Sequence, residues 1–141
     1  KNGKYIQERY ASNYYAAITV GIDFTARDIQ DEVKKNGLPW EKAKAFDNSA
    51  VIGKFISLTP DFNRKSINFS MLKNKEKVQE ANSTQMIFSI DKIIENISNY
   101  FSLNIGDLIF TGTPAGVGEC VTGDVLEGFI EKENLFNVEV K

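Results

Sequence analysis

The chain of 141 residues is 42% hydrophobic and 26% charged, which is ordinary for one globular domain able to bury a core. Its formal net charge of −2 gives no electrostatic basis for binding nucleic acid or a membrane surface, and no apolar run approaches the ~20 residues of a membrane span. The absence of histidine excludes Ser-His and Cys-His catalysis and histidine-containing zinc sites within the chain. A metal site built from these residues would use oxygen ligands, as Mg²⁺, Mn²⁺ and Ca²⁺ prefer.

The first residues predict a turn, a short helix and a strand. Asn2-Gly3 favours a type I′ hairpin turn, and a chain that begins on such a turn is expected to have lost its first strand. Residues 6–14 predict a short helix. Residues 15–22 are rich in small and β-branched side chains, which predicts a buried strand.

A second helix is predicted directly after that strand. Thr25 is well placed to cap it, and the apolar residues that follow recur at helical spacing. Asn36-Gly37 is typical of a helix end, so the helix is expected over residues 26–35. Another strand is predicted at residues 51–58.

The second half of the sequence predicts two hairpins on either side of one amphipathic helix. The first hairpin turns at Asn74-Lys75. The inward face of the helix is an apolar stripe formed by Ile90, Ile93, Ile94, Ile97 and Phe101. A short strand, an irregular glycine-rich loop and a closing hairpin follow at residues 108–110, 112–118 and 125–140. Because strands outnumber helices and do not alternate with them, the pattern favours an α+β, mostly-β roll over a doubly wound sheet.

Three polar residues at the start of the second helix form a candidate site. Asp23 stands where the apolar strand is predicted to end, and an acid there costs desolvation energy unless it is paired or metal-bound. Arg27 and Gln30 share one helical face, and the planar fork of arginine matches a carboxylate. Together they could hold an anionic substrate over a metal on Asp23. Periodicity alone favours the alternative, in which Asp23 caps the turn and Arg27 pairs with a surface acid.

Lys44 is a second candidate, because its neighbours Ala43, Ala45 and Phe46 predict partial burial. A buried lysine needs an anionic partner or a lowered pKa. The commoner alternative is a lysine that extends its amine into solvent. Lys42, two positions earlier, has no such apolar surroundings and serves as a control.

The glycine-rich loop is a third candidate. Its glycines let the backbone approach a ligand, and Thr111 and Thr113 could bind a substrate oxygen. It is neither a P-loop nor a dinucleotide-binding loop, because the Gly-Lys-Ser/Thr ending and a following helix are both lacking. Taken alone, it is interpreted as an irregular surface loop. The single cysteine, Cys120, is interpreted as a small loop residue, and its isolation excludes an internal disulfide and fits a reducing compartment.

Taken together, six segments resemble the fumarylacetoacetate hydrolase family, which includes acylpyruvate hydrolases, oxaloacetate decarboxylases and hydroxymuconate-type isomerases. The segments are TVGID at 19–23, TARDIQ at 25–30, GLPW at 37–40, KAFD at 44–47, MIFS at 86–89 and TGTPAGVG at 111–118. Each segment is a weak indication by itself. Their order and spacing through nearly the whole chain make the resemblance specific.

The resemblance implies a fold of twisted, mixed β-sheets rolled around the active site, a homodimer and a bound Mg²⁺ ion, with Mn²⁺ or Ca²⁺ as alternatives. By the same resemblance, Asp23 matches an acidic metal ligand, and Lys44 matches the active-site lysine, with catalytic and substrate-binding roles. Arg27 and Gln30 match positions that contact the substrate. Thr113 matches the threonine that contacts the substrate carboxylate.

The implied function is metal-dependent cleavage of acylpyruvates or decarboxylation of oxaloacetate through a metal-stabilised enolate. A keto–enol or hydroxymuconate-type isomerase and a non-catalytic relative are the alternatives. The family's other two metal ligands form a Glu-x-Glu motif on a strand before the first matched segment, and its hydrolytic members use a His-Glu pair that this chain lacks. Residues 1–141 are therefore expected to form a catalytic domain truncated at its N-terminus, in a cytoplasmic protein.

Overall fold

The computed structural model describes residues 1–141 and contains more strands than helices. The helices are α1 (Glu8–Ala11), α2 (Arg27–Asn36), α3 (Glu41–Lys44) and α4 (Ile90–Tyr100). The strands are β1 (Ala17–Ile18), β2 (Gly21–Asp23), β3 (Ala50–Ile52), β4 (Ile56–Ser57), β5 (Asn68–Lys73), β6 (Glu76–Asn82), β7 (Val125–Ile130) and β8 (Glu133–Glu139). The predicted α+β, mostly-β class is confirmed. None of the helices has the length and apolarity that crossing a membrane requires.

The largest sheet is antiparallel and has the strand order β6-β5-β7-β8. Its first hairpin turns at Asn74 and Lys75, whose φ angles of 52° and 72° are the left-handed pair that a type I′ turn requires. Strand β7 alternates half-buried and buried residues, so one of its faces lines the core. Both predicted hairpins are confirmed.

Within the closing hairpin, Gly128 of β7 lies opposite Phe136 of β8. A Cβ atom on Gly128 would lie 2.1 Å from Cε1 of the ring, so the ring occupies the space that any side chain would need. Phe136 is only 8% exposed in this position. The missing side chain therefore lets a large aromatic residue pack directly against the backbone of β7.

Two predicted strands are each interrupted. Residues 15–22 divide into β1 and β2, which pair with β4 and β3 respectively, and residues 51–58 divide in the same way. The two segments of the chain approach each other closely at the interruption, where the Gly53 N–H donates to the carbonyl oxygen of Val20 at 3.0 Å. A Cβ atom on Gly53 would lie 2.9 Å from both that oxygen and Thr19 Oγ1. The prediction of single continuous strands is wrong because this crossing splits the ladder. The predicted burial of residues 15–22 is also wrong, since these residues are half-buried or exposed.

The predicted amphipathic helix is confirmed as α4, which packs against α1. The inclusion of Phe101 in its inward stripe is wrong, because Phe101 is the C-cap, leaves the helical conformation and is 66% exposed. Ile94 of α4 and Ala11 of α1 share a buried cluster with Ile6. Ser98, which is fully buried, accepts the Ile6 N–H at 2.9 Å. The first helix is shorter than the predicted range of residues 6–14, because only four residues have helical hydrogen bonding.

Two local predictions are wrong. Neither Asn2 nor Gly3 has the positive φ of a type I′ turn, because Gly3 forms an antiparallel bridge with Leu103. The hairpin-turn argument for a missing strand therefore does not hold. Residues 108–110 form no strand; Phe110 instead places its ring beside Gly21, where an added Cβ would be 3.2 Å from Cε1.

Candidate active site

Lys44, Asp23 and Thr25 form a polar cluster between β2 and α3. The Lys44 ammonium donates to Asp23 Oδ2 at 2.6 Å and to Thr25 Oγ1 at 2.8 Å. The side chains of Lys44 and Asp23 are 30% and 49% exposed, so a small ligand can reach both. An ammonium group has three N–H donors, and the two contacts leave one of them for a ligand.

Backbone hydrogen bonds hold this cluster together. The Ala26 N–H donates to the carbonyl oxygen of Ala43 at 3.1 Å, which joins the start of α2 to α3.

Thr25 does not cap α2 as predicted, since Ala26 occupies the N-cap position and no side chain caps the helix. The Thr25 hydroxyl instead accepts from Lys44 and donates to the carbonyl oxygen of Asp23 at 3.3 Å. Sequence reasoning missed this role, although residues two apart in an extended segment share one face.

The prediction of a partly buried Lys44 with an anionic partner is confirmed, and the solvated alternative is wrong. Asp23 is that partner, so the interpretation of Asp23 as a simple turn cap is also wrong. Of the three apolar neighbours of Lys44, only Ala43 is itself buried, whereas Ala45 and Phe46 are exposed.

Arg27 and Gln30 contact each other, with Arg27 Nη1 donating to Gln30 Oε1. Gln30 is buried at 3% exposure, while Arg27 is exposed. Arg27 forms no salt bridge, so the alternative of a surface acid partner is wrong. Four of its five N–H donors remain available, because Gln30 uses only one.

Thr113 lies in the glycine-rich loop, which is irregular as predicted. Its Oγ1 accepts from Gln79 Nε2 at 3.0 Å. No hydrogen bond joins Thr113 or Arg27 to the pair of Lys44 and Asp23. The structure therefore joins four of the five predicted residues in two separate pairs, Lys44 with Asp23 and Arg27 with Gln30, and leaves Thr113 with a partner on β6.

Cys120 is half-buried and unpaired. Burial is the main cause that raises the pKa of its thiol above the ordinary value. Because the thiolate is the reactive form, a raised pKa disfavours nucleophilic attack by this residue. This agrees with the interpretation of Cys120 as a loop residue without a catalytic role.

The chain's own residues do not fit a complete site for a divalent cation. No group of three or more Cys, Asp or Glu side chains is close enough together to hold a metal ion. Asp23, the one predicted ligand, has a lysine ammonium as its ion-pair partner. Mg²⁺ is usually anchored by one or two carboxylates together with oxygens of its substrate. Asp23 alone could supply one such oxygen ligand.

Comparison with known proteins gives consistent relatives. The chain is 40% identical over 141 residues to a mitochondrial oxaloacetate tautomerase of Caenorhabditis elegans, covering 99% of this chain and 66% of the relative. It superimposes with a TM-score of 0.92 on the fumarylpyruvate hydrolase of Pseudomonas aeruginosa in complex with Mn²⁺ and pyruvate, at 35% identity over 99% of this chain and 60% of that chain. For the 5-carboxymethyl-2-hydroxymuconate delta-isomerase of Mycobacterium smegmatis the TM-score is 0.86, at 26% identity over 99% of this chain and 53% of that one.

These relatives are enzymes with different activities, and this chain spans between 53% and 66% of their lengths. The family model described as fumarylacetoacetate (FAA) hydrolase C-terminal matches residues 1–141, the full sequence. The resemblance drawn from the six sequence segments is thereby confirmed. The chain belongs to the fumarylacetoacetate hydrolase family.

Proposed function

We propose that the chain forms part of an enzyme that interconverts the keto and enol forms of a small keto acid such as oxaloacetate. Its 40% identity to an oxaloacetate tautomerase supports this reaction. This gives the isomerase alternative precedence over hydrolysis and decarboxylation.

The free N–H of Lys44 is the observation that carries the proposal. Keto–enol conversion moves a proton between a carbon atom and the neighbouring ketone oxygen, and negative charge develops on that oxygen. In the proposed reaction, the Lys44 ammonium donates a hydrogen bond from its remaining N–H to this oxygen and so stabilises the charge. Asp23 and Thr25 hold the ammonium in place beforehand, at 2.6 and 2.8 Å, so little reorganisation is needed when the charge develops.

Arg27 and Thr113 are proposed to bind the substrate carboxylates. The guanidinium of Arg27 is exposed and keeps four N–H donors, enough for a two-bond contact with a carboxylate. Gln30 is buried beside it and limits its orientation through the hydrogen bond to Nη1. The role of Gln30 as a direct substrate contact remains a prediction.

Dependence on a divalent cation is also proposed, with Mg²⁺ first and Mn²⁺ or Ca²⁺ as alternatives. The Mn²⁺ in the Pseudomonas complex supports it. Since residues 1–141 do not complete a metal site, the other ligands would have to lie outside them. The homodimer and the cytoplasmic location remain predictions; the Caenorhabditis elegans relative is mitochondrial.

Replacing Lys44 tests the proposed function. Lys44→Met removes the cation but keeps most of the side-chain length, and we expect kcat for enol-oxaloacetate conversion to fall by about a hundredfold. Lys42→Met is the matched control, because Lys42 lies in the same helix, is exposed and forms no salt bridge. The decay of enol absorbance above the uncatalysed rate measures both. An unchanged kcat in Lys44→Met would contradict the proposal.

Hydrolysis of a fumarylpyruvate-type substrate is the second candidate, supported by the 35% identity to the Pseudomonas hydrolase. The two functions differ in their products, because hydrolysis releases pyruvate and tautomerisation releases nothing. Incubation with an acylpyruvate and measurement of free pyruvate distinguishes them. Turnover of neither substrate by the protein carrying this sequence would favour the non-catalytic alternative.

A further inference from the structure

Gln79 lies in β6, which is an edge strand of the four-stranded sheet, and its side-chain amide contacts the glycine-rich loop. Nε2 donates to Thr113 Oγ1 at 3.0 Å and to the carbonyl oxygen of Pro114 at 3.2 Å, and the carbonyl oxygen of Ala115 lies at 3.5 Å. We propose that Gln79 is a positioning residue, which sets the direction of the Thr113 hydroxyl and fixes the loop for substrate binding.

The direction of the Thr113 hydroxyl follows from hydrogen-bond chemistry. A hydroxyl carries one hydrogen and accepts through its lone pairs. Because Oγ1 of Thr113 accepts from Gln79, its own hydrogen points elsewhere, and Thr113 donates to no group in the chain. A carboxylate accepts hydrogen bonds and cannot donate them. Gln79 thus leaves Thr113 as a donor for an anionic ligand, an inference that rests on the proposed function.

The loop itself fixes the orientation of the Gln79 amide. Two backbone carbonyl oxygens, of Pro114 and Ala115, face Nε2. Carbonyl oxygens only accept, so an NH₂ group must face them. The reverse orientation would place the amide oxygen against both carbonyl oxygens. One N–H therefore serves Thr113 and the other serves the two carbonyls.

A second contact beside Gln79 shows that the loop is docked on β6. Gly116 has a φ of +99°, and a Cβ atom there would lie 2.2 Å from the carbonyl oxygen of Val78. The loop backbone therefore approaches β6 more closely than any other residue type allows. Val78 and Gln79 are adjacent, so the strand holds the loop through one backbone contact and one side chain.

The test uses two substitutions at Gln79. Gln79→Met removes the N–H donors but keeps a side chain of similar size. We expect KM to rise by about tenfold and kcat to change by less than threefold, because the lost contact would hold the substrate equally in the ground state and in the transition state. In Gln79→Glu the carboxylate would turn the Thr113 hydrogen toward itself, so KM should rise by about a hundredfold. Glu80→Gln is the control, since Glu80 is the exposed next residue and pairs with Lys77.

A double-mutant cycle separates positioning from a general structural role. If Gln79 acts through Thr113, adding Gln79→Met to Thr113→Val should raise KM by less than twofold. Additive effects, or an unchanged KM in Gln79→Met, would overturn the inference. If Lys44→Met is inactive but the Gln79 and Thr113 effects are additive, the proposed function stands and only this inference is contradicted. If kcat is unchanged in Lys44→Met but the Gln79 and Thr113 effects are non-additive, only the proposed function is contradicted.

Backbone ¹⁵N relaxation supplies a measurement that needs no activity. In Gln79→Met, order parameters should fall at residues 113 and 115–118 and stay unchanged in the β7–β8 hairpin. Faster amide exchange throughout the β5–β6 hairpin, or a failure of this variant to fold, would show a general folding role and overturn the inference. Gln79→Asn keeps the amide at shorter reach and should give intermediate order parameters and an intermediate KM.

Discussion

The Lys44 ammonium lies 2.6 Å from the Asp23 carboxylate, although 21 positions separate the two residues in the sequence. Both side chains are partly exposed, and an ion pair in such a position contributes only about 0–1 kcal/mol to stability. Thr25 adds a third polar group to the same point at 2.8 Å. The cluster therefore contributes little to the stability of the fold, and the proposed function gives it a role in ligand binding instead.

Replacing Thr25 should affect catalysis more than stability. Thr25→Val removes the hydroxyl that accepts from Lys44, so the ammonium keeps only Asp23 and becomes less well ordered. We expect kcat to fall by about fivefold to tenfold, with the free energy of unfolding lowered by less than about 1.5 kcal/mol. Thr25→Ser keeps the hydroxyl and should stay near the wild-type kcat. Equal kcat values in the two variants would contradict this role.

Two glycines of the loop should respond differently to the same substitution. Gly116→Ala places a Cβ against the carbonyl oxygen of Val78 and requires a left-handed φ of +99°, so the loop must shift. Gly118→Ala meets no atom within 4 Å and has no such φ. We expect KM to rise by about tenfold in Gly116→Ala and by less than twofold in Gly118→Ala, as steady-state kinetics would measure. Equal responses would contradict the close docking of the loop on β6.

Asp124 should make stability depend on acid pH. Hydrogen bonds from the Val121 N–H at 2.9 Å, the largest cause, and from Asn74 at 2.7 Å, together with Lys73 at 3.4 Å, hold the pKa of Asp124 below its ordinary value. A carboxyl whose pKa is lower in the folded state stabilises above its unfolded pKa, about 3.9, and this stabilisation is lost as the pH falls through the folded pKa. Asp124→Asn should lower Tm at neutral pH and reduce the fall of Tm below about pH 4.

Thermal unfolding followed by circular dichroism between pH 2 and 7 checks this pH dependence. Asp47→Asn is the matched control, because Asp47 is exposed and forms no salt bridge. Its Tm profile should follow that of the wild type. If Asp124→Asn lost as much Tm on acidification as the wild type, the assignment of acid sensitivity to Asp124 would be wrong.

The elements that sequence predicted correctly are those with local causes. The turn at Asn74-Lys75 depends on two residues that adopt positive φ, and α4 depends on a stripe within one segment. The errors came from contacts between distant segments. Residues 15–22 have the composition of one strand, but the approach of Gly53 to Val20 divides it, and no local pattern encodes that crossing.

The candidate site shows the same limit. The spacing of Asp23 and Lys44 does not predict their contact; family resemblance marked both residues, and the β2–β3 pairing and the bond from Ala26 to Ala43 bring them together. Nothing in the sequence indicated a role for Gln79 at the site. A polar residue in a strand gives no sign that its amide reaches a loop 34 positions later.

The notch that Gly128 leaves for Phe136 has a consequence for how the chain assembles. The register of the β7–β8 pair shifts between Gly128 and Phe129. This irregularity distinguishes the native alignment of the two strands from alignments that are shifted by one residue. A slip by one residue would set the Phe136 ring against a side chain and turn the inward face of β8 outward. The β7–β8 hairpin can therefore select its alignment from local contacts, before β5, distant in sequence and slow to pair, arrives. Gly128 would then fix the register of the β7–β8 pair, and a larger residue at this position should produce species with misaligned strands on refolding.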